Sequence, residues 1–119
     1  MPALMPPLFK VICPAGYHVE DVFDDNLDLN IVLDTEEVFF ATVFTVRNVQ
    51  ALLARLPEPY FWSVDMFIVD NLRVPTILDA VASIVQEGRA DTIFGRIGTT
   101  ATVYAGLGYS FAHLPEQLQ

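Results

Sequence analysis

Two consecutive strand-then-helix patterns, Val38 to Leu56 and Tyr60 to Gly88, joined at Pro57-Glu58-Pro59, constrain this chain more than any other feature of it. In the first, Val38-Phe39-Phe40-Ala41-Thr42-Val43-Phe44 is a β-branched and aromatic run suited to a strand. Thr45 is placed to cap the helix that follows, in which Val46, Val49, Leu52, Leu53 and Leu56 fall on one face. Pro57 and Pro59 end that helix, because proline cannot donate the backbone hydrogen bond that a further turn needs. In the second pattern, Tyr60 to Val69 is nearly continuous apolar sequence whose one charge is Asp65, which predicts a central strand covered on both faces. A helix over Pro75 to Gln86 follows, with proline at a tolerated early position, Ile77, Leu78, Val81, Ile84 and Val85 apolar, and Gly88 at the stop. If the two strands are parallel, the helix between them makes a right-handed crossover.

The remaining segments add strands. Leu8 to Cys13 is a short apolar run closed by Pro14-Ala15-Gly16. Glu20 to Asp28 is the densest acidic stretch and leads into Leu27, Leu29, Ile31 and Leu33 alternating with Asp28, Asn30, Val32 and Asp34. That alternation predicts a half-buried strand, paired antiparallel with Val38 to Phe44 across Asp34-Thr35-Glu36-Glu37. After Gly88 the pattern weakens: Asp91-Thr92-Ile93-Phe94 suits a helical turn or a short strand, and Thr100 to Ala105 reads as an added strand. Gly95-Arg96-Ile97-Gly98 and Gly106-Leu107-Gly108 read as turns, and Ser110 to Gln119 as a loosely held tail. The expected fold is α+β, a mixed and mainly antiparallel sheet of four or five strands with two helices on one face, in a single domain across residues 1–119.

Composition narrows the partners. A chain of 119 residues, 53% hydrophobic, buries roughly two thirds of its unfolded surface and is excluded from the disordered class. Its 15 acidic and 6 basic side chains give a formal charge of −9, with Lys10, Arg47, Arg55, Arg73, Arg89 and Arg96 scattered singly. Such a chain has no basic stripe with which to displace phosphate counterions, so nucleic acid and anionic membrane are poor partners and a basic protein is a better one. Met1 to Pro7 lacks the basic and long apolar regions of a secretory leader, and no apolar run reaches the ~18 residues that span a bilayer. One cysteine, Cys13, cannot form an internal disulfide, which fits a reducing, cytoplasmic setting.

Few residues are candidates for chemistry. Asp24-x-Asn26-x-Asp28-x-Asn30 superficially matches the opening of a calcium loop, but Leu29 stands where the sharp turn needs glycine and Thr35 where the loop needs a bidentate glutamate. The acidic stretch is therefore read as a solvated surface with Asp21, Asp24, Asp25, Asp28 and Asp34 as partner-binding candidates, and strand alternation places Asp28, Asn30 and Asp34 on one flat face. Asp65 is the one carboxylate embedded in apolar sequence, and with Tyr60 and Trp62 it forms a candidate pocket. Cys13, His18 and His113 share no ligand or catalytic spacing, and the glycine pairs lack a nucleotide loop's strand and helix. No metal, cofactor or catalytic set is expected.

Asp28-Leu29-Asn30-Ile31-Val32-Leu33, the string FFATVFT from Phe39 to Thr45 and Tyr60-Phe61-Trp62-Ser63-Val64-Asp65-Met66-Phe67-Ile68-Val69 carry a family likeness. Over Leu27 to Phe94 the chain resembles a group of small uncharacterised bacterial proteins, and the resemblance implies a bacterial source and an α+β fold but no catalytic residue. In size and charge it is also similar to the small acidic immunity proteins that neutralise toxins. The functional expectation is a non-catalytic protein-interaction module of the immunity or adaptor kind. Two alternatives accompany it: a ligand binder or enzyme using Asp65 beside Tyr60 and Trp62, and a structural homo-oligomer, a dimer formed by edge pairing.

Overall fold

A computed structural model describes residues 5–119, so part of the Met1 to Pro7 segment lies outside the described residues. The elements run β1 Phe9–Ile12, β2 Asn26–Leu33, β3 Glu37–Thr45, α1 Val46–Arg55, β4 Met66–Val69, α2 Val74–Gln86, α3 Ala90–Ile93, β5 Gly95–Thr99 and α4 Thr100–Val103. They make an α+β fold around a mixed, mostly antiparallel five-stranded sheet.

The central strand is β3. One of its edges pairs antiparallel with β2, from Val32↔Val38 to Asn26↔Phe44, and β1 continues the sheet beyond β2. Its other edge is divided: Glu37 to Phe40 pair with β5 and Thr42 to Thr45 pair in parallel with β4. The division corrects the expectation for Tyr60 to Val69. A longer β4 would bring Val64 opposite Phe40, a place already taken by Gly95, so pairing starts only where the Thr42 N–H donates to the Asp65 carbonyl at 3.0 Å. Asp65 turns the chain away there with φ +53. The segment that reads as a buried central strand is thus a four-residue edge strand with Tyr60, Trp62 and Val64 exposed before it.

Two further expectations after Gly88 are overturned. Gly95 to Gly98 forms β5 rather than a turn, because the open edge of β3 needs hydrogen-bond partners at Glu37 to Phe40. Thr100 to Val103 is helical rather than extended: Thr99 accepts from the Thr102 N–H, and the Thr102 hydroxyl accepts from the Thr99 N–H at 2.9 Å, a reciprocal cap that starts a helix.

The main core lies on one face of the sheet, where Leu29, Ile31, Phe39 and Val43 meet Leu72, Ile77 and Val81, each almost wholly buried. On the opposite face Ile12, Val32 and Val38 lie under Val103, Tyr104, Phe111 and Leu114. Helix α1 supplies no residue to either cluster, and its Val46 remains 51% exposed. The cover from the C-terminal segment also corrects the half-buried reading of β2, which is buried on both faces from Leu29 to Leu33. Ser110 to Gln119, read as a loose tail, is fastened at several points. The Phe111 N–H donates to Glu36 Oε1 at 2.9 Å, Lys10 Nζ donates to the Phe111 carbonyl at 2.6 Å, and the Leu118 N–H donates to the Val11 carbonyl at 2.8 Å.

Candidate functional site

The acidic loop between β1 and β2 is held from both ends of the fold. The Tyr17 hydroxyl donates to the Leu72 carbonyl, and the Leu72 N–H donates to the Val22 carbonyl at 2.7 Å, which ties the loop to the chain entering α2. Register then fixes its far end: Asn26 pairs with Phe44, so Asp25 meets Thr45. The Thr45 N–H donates to the Asp25 carbonyl at 3.1 Å, and the buried Thr45 hydroxyl accepts from the Asp25 and Asn48 N–H groups at 3.3 and 3.1 Å. One residue therefore caps α1 and anchors the loop.

Within the loop, Asp21 Oδ1 accepts from the Phe23 N–H at 2.9 Å, and Asp24 Oδ1 accepts from Asn48 Nδ2 at 3.2 Å. Asp25 Oδ1 accepts from the Asn26 N–H at 2.8 Å. With Glu20, these three aspartates line one open depression of about 540 Å³ beside Tyr17 and His18. Four carboxylates in one concavity concentrate a negative potential that a cationic surface relieves. Beside the loop, the Arg47 and Arg73 guanidinium groups stand 5.9 and 5.4 Å from the Phe23 ring centroid, which places a positive pair next to the acidic bowl.

The other two candidates are elsewhere. Asp28, on β2, accepts from the Thr42 hydroxyl at 2.8 Å, and Asp34 occupies the β2–β3 turn about 20 Å further along. The flat acidic face of Asp28, Asn30 and Asp34 does not form, because Asn30 is buried and donates from Nδ2 to the Tyr104 hydroxyl at 2.9 Å. Likewise the Asp65 group is divided. Tyr60 and Trp62 flank a shallow depression of about 230 Å³ with Leu56, Glu58 and Phe61, and Asp65 does not line it. Asp65 instead faces Gly95, whose missing side chain leaves room for the carboxylate.

No family model, curated protein or solved structure matches the chain.

Among the described residues no three His, Cys, Asp or Glu groups gather closely enough to hold a metal ion. Burial pushes the Cys13 thiol up, away from the reactive thiolate, and His18 and His113 are exposed. Among the described residues no helix is long and apolar enough to cross a membrane. The feature that sequence reasoning missed is a mainly apolar cavity of about 480 Å³ where Ile12, Cys13 and Asn30 meet Tyr104, Tyr109 and Glu116. The only signal for it was the cluster of aromatic residues after Tyr104, which carries no periodicity and so pointed to no element.

Proposed function

We propose that this chain is a non-catalytic protein-interaction module of the cytoplasm that meets a basic partner through the loop from Tyr17 to Asp25. The observation that carries the reading is the convergence of Glu20, Asp21, Asp24 and Asp25 on one open depression in a protein of net charge −9. Such a field speeds encounter with a basic surface and disfavours acidic ones. The loop's backbone is tied to Leu72 and Thr45, so little ordering cost falls on binding. In size and charge the arrangement suits an immunity-type inhibitor or an adaptor.

The test is a comparison of wild type with Glu20→Gln/Asp21→Asn/Asp25→Asn, in which each amide keeps an acceptor oxygen and the local turns survive. Tagged wild type should retain a basic protein from lysate of its source organism at near-equal amount and release it in salt. The variant should associate with that protein about tenfold more slowly and with a shallower dependence on ionic strength. An unchanged association rate in the variant rejects the reading.

A second reading, a homodimer, rests on a different observation. The outer edge of β4 is unpaired among the described residues, and Tyr60, Trp62, Val64 and Ile68 around it are 60%, 72%, 64% and 52% exposed. An apolar strip beside an open strand edge is a ready surface for a second copy.

A further inference from the structure

The cavity between β1, β2 and the C-terminal segment plays no part in the acidic-loop reading. Its volume of about 480 Å³ lies in the range of small-ligand pockets, and its walls are mainly apolar with a few polar groups. Tyr104 and Tyr109 meet edge to face there, ring centroids 5.6 Å apart at 64°. Asn30 is the buried polar residue, 7% exposed, and its Nδ2 donates to the Tyr104 hydroxyl at 2.9 Å. Two polar functions remain unused among the described residues: the hydrogen of the Tyr104 hydroxyl, which acts as acceptor in that bond, and Asn30 Oδ1. Neither is a sealed orphan, since among the described residues no buried polar side-chain atom lacks a partner. Glu116 contributes the one carboxylate, and none of the lining residues is basic.

We propose that this cavity binds a small monocationic aromatic amine, with the rings of Tyr104 and Tyr109 against its aromatic body and Glu116 pairing with its ammonium. Tyrosine faces carry negative potential and attract a cation, the carboxylate adds a charged acceptor, and the −9 protein field disfavours an anion of the same shape. Asn30 Oδ1 supplies an acceptor for a ring N–H, which selects a heteroaromatic over a plain hydrocarbon.

Tryptamine, indole and indole-3-acetate share one ring system and differ in charge, so they separate the apolar and ionic contributions. Titration at pH 7, followed by backbone amide shifts, should show saturable one-to-one binding of tryptamine, roughly fivefold tighter than indole as a partly exposed ion pair gives. Indole-3-acetate should bind more weakly than indole, and the perturbed amides should include Cys13, Tyr104 and Leu107. Glu116→Gln should bring tryptamine to the affinity of indole and leave indole unchanged, whereas Tyr109→Leu should weaken all three. Absence of saturable binding by any of the probes overturns the proposal. So does indole-3-acetate binding as tightly as tryptamine, a tryptamine preference that survives Glu116→Gln, or shifts confined to the Glu20 to Asp25 loop.

Discussion

At Asp65 a non-glycine residue holds φ +53 without a side-chain hydrogen bond among the described residues, so the left-handed backbone goes uncompensated. Asp65→Gly should therefore stabilise the fold by about 0.5–1 kcal/mol in urea denaturation. Gly95 is the matching constraint: a Cβ there would overlap the Asp65 carboxylate, 2.7 Å from Cγ. Gly95→Ala should cost about 1–3 kcal/mol, most of it recovered when Asp65→Gly is added, and simple additivity of the two would show that the residues do not touch. Thr45 offers a second residue-level test. Thr45→Val keeps the shape and removes the hydroxyl that two N–H groups use, so it should cost about 1–3 kcal/mol and speed amide exchange at Asp25 and Asn48, with Thr45→Ser much milder. The capping role was legible because Thr45 stands directly before a helical pattern. Its hold on Asp25 was not, since that depends on which residue of β2 falls opposite.

Periodicity predicts elements well where each element buries its own pattern, as in β1, β2, β3 and α2, and poorly where a neighbour decides. The residues of β5 contain no alternation; they are a strand because the β3 edge is vacant there, and Tyr60 to Val64 are not a strand because that edge is filled. The aspartates separated for a similar reason, since Asp28 lies near the start of β2 and Asp34 in the turn just past its end. Glu36 is one of the ties of the C-terminal cover: it carries φ +71 in the β2–β3 turn and accepts on Oε1 from the Thr100 hydroxyl at 2.7 Å and the Phe111 N–H at 2.9 Å. These bonds hold its carboxyl below the ordinary glutamate value of 4.5. A lowered folded value means that the stabilisation is complete above pH 4.5 and is lost as pH falls through the folded value. Acidification should then speed exchange at the Phe111 amide and reduce the near-ultraviolet circular dichroism of Tyr104 and Tyr109 before the main core opens. Glu36→Gln, which keeps an acceptor but no titrating group, should flatten that step, and Glu36→Ala should show the loosened state at neutral pH.

One acidic and one apolar surface coexist on the whole molecule, and salt distinguishes their uses. Association of the acidic loop with a basic partner is driven by charge, so it weakens as the screening length contracts from about 30 Å at 0.01 M to about 8 Å at 0.15 M ionic strength. Self-association along β4 has the reverse dependence: Tyr60, Trp62, Val64 and Ile68 attract by apolar burial, while two copies each of charge −9 repel. Sedimentation velocity across that salt range should accordingly show a mass near 13.3 kDa at low salt moving toward twice that value as salt rises. Trp62→Ser/Ile68→Thr removes the apolar contribution from two exposed sites outside the buried core and should hold the protein at the monomer mass throughout. A wild type that stays monomeric at millimolar concentration in 0.5 M salt would exclude the dimer, because the repulsion is then screened and only the strip itself is left to drive association. A dimer that instead dissolves as salt is added would place the contact at charged groups, Arg47 and Arg73 against the acidic loop of a second copy, and not along β4.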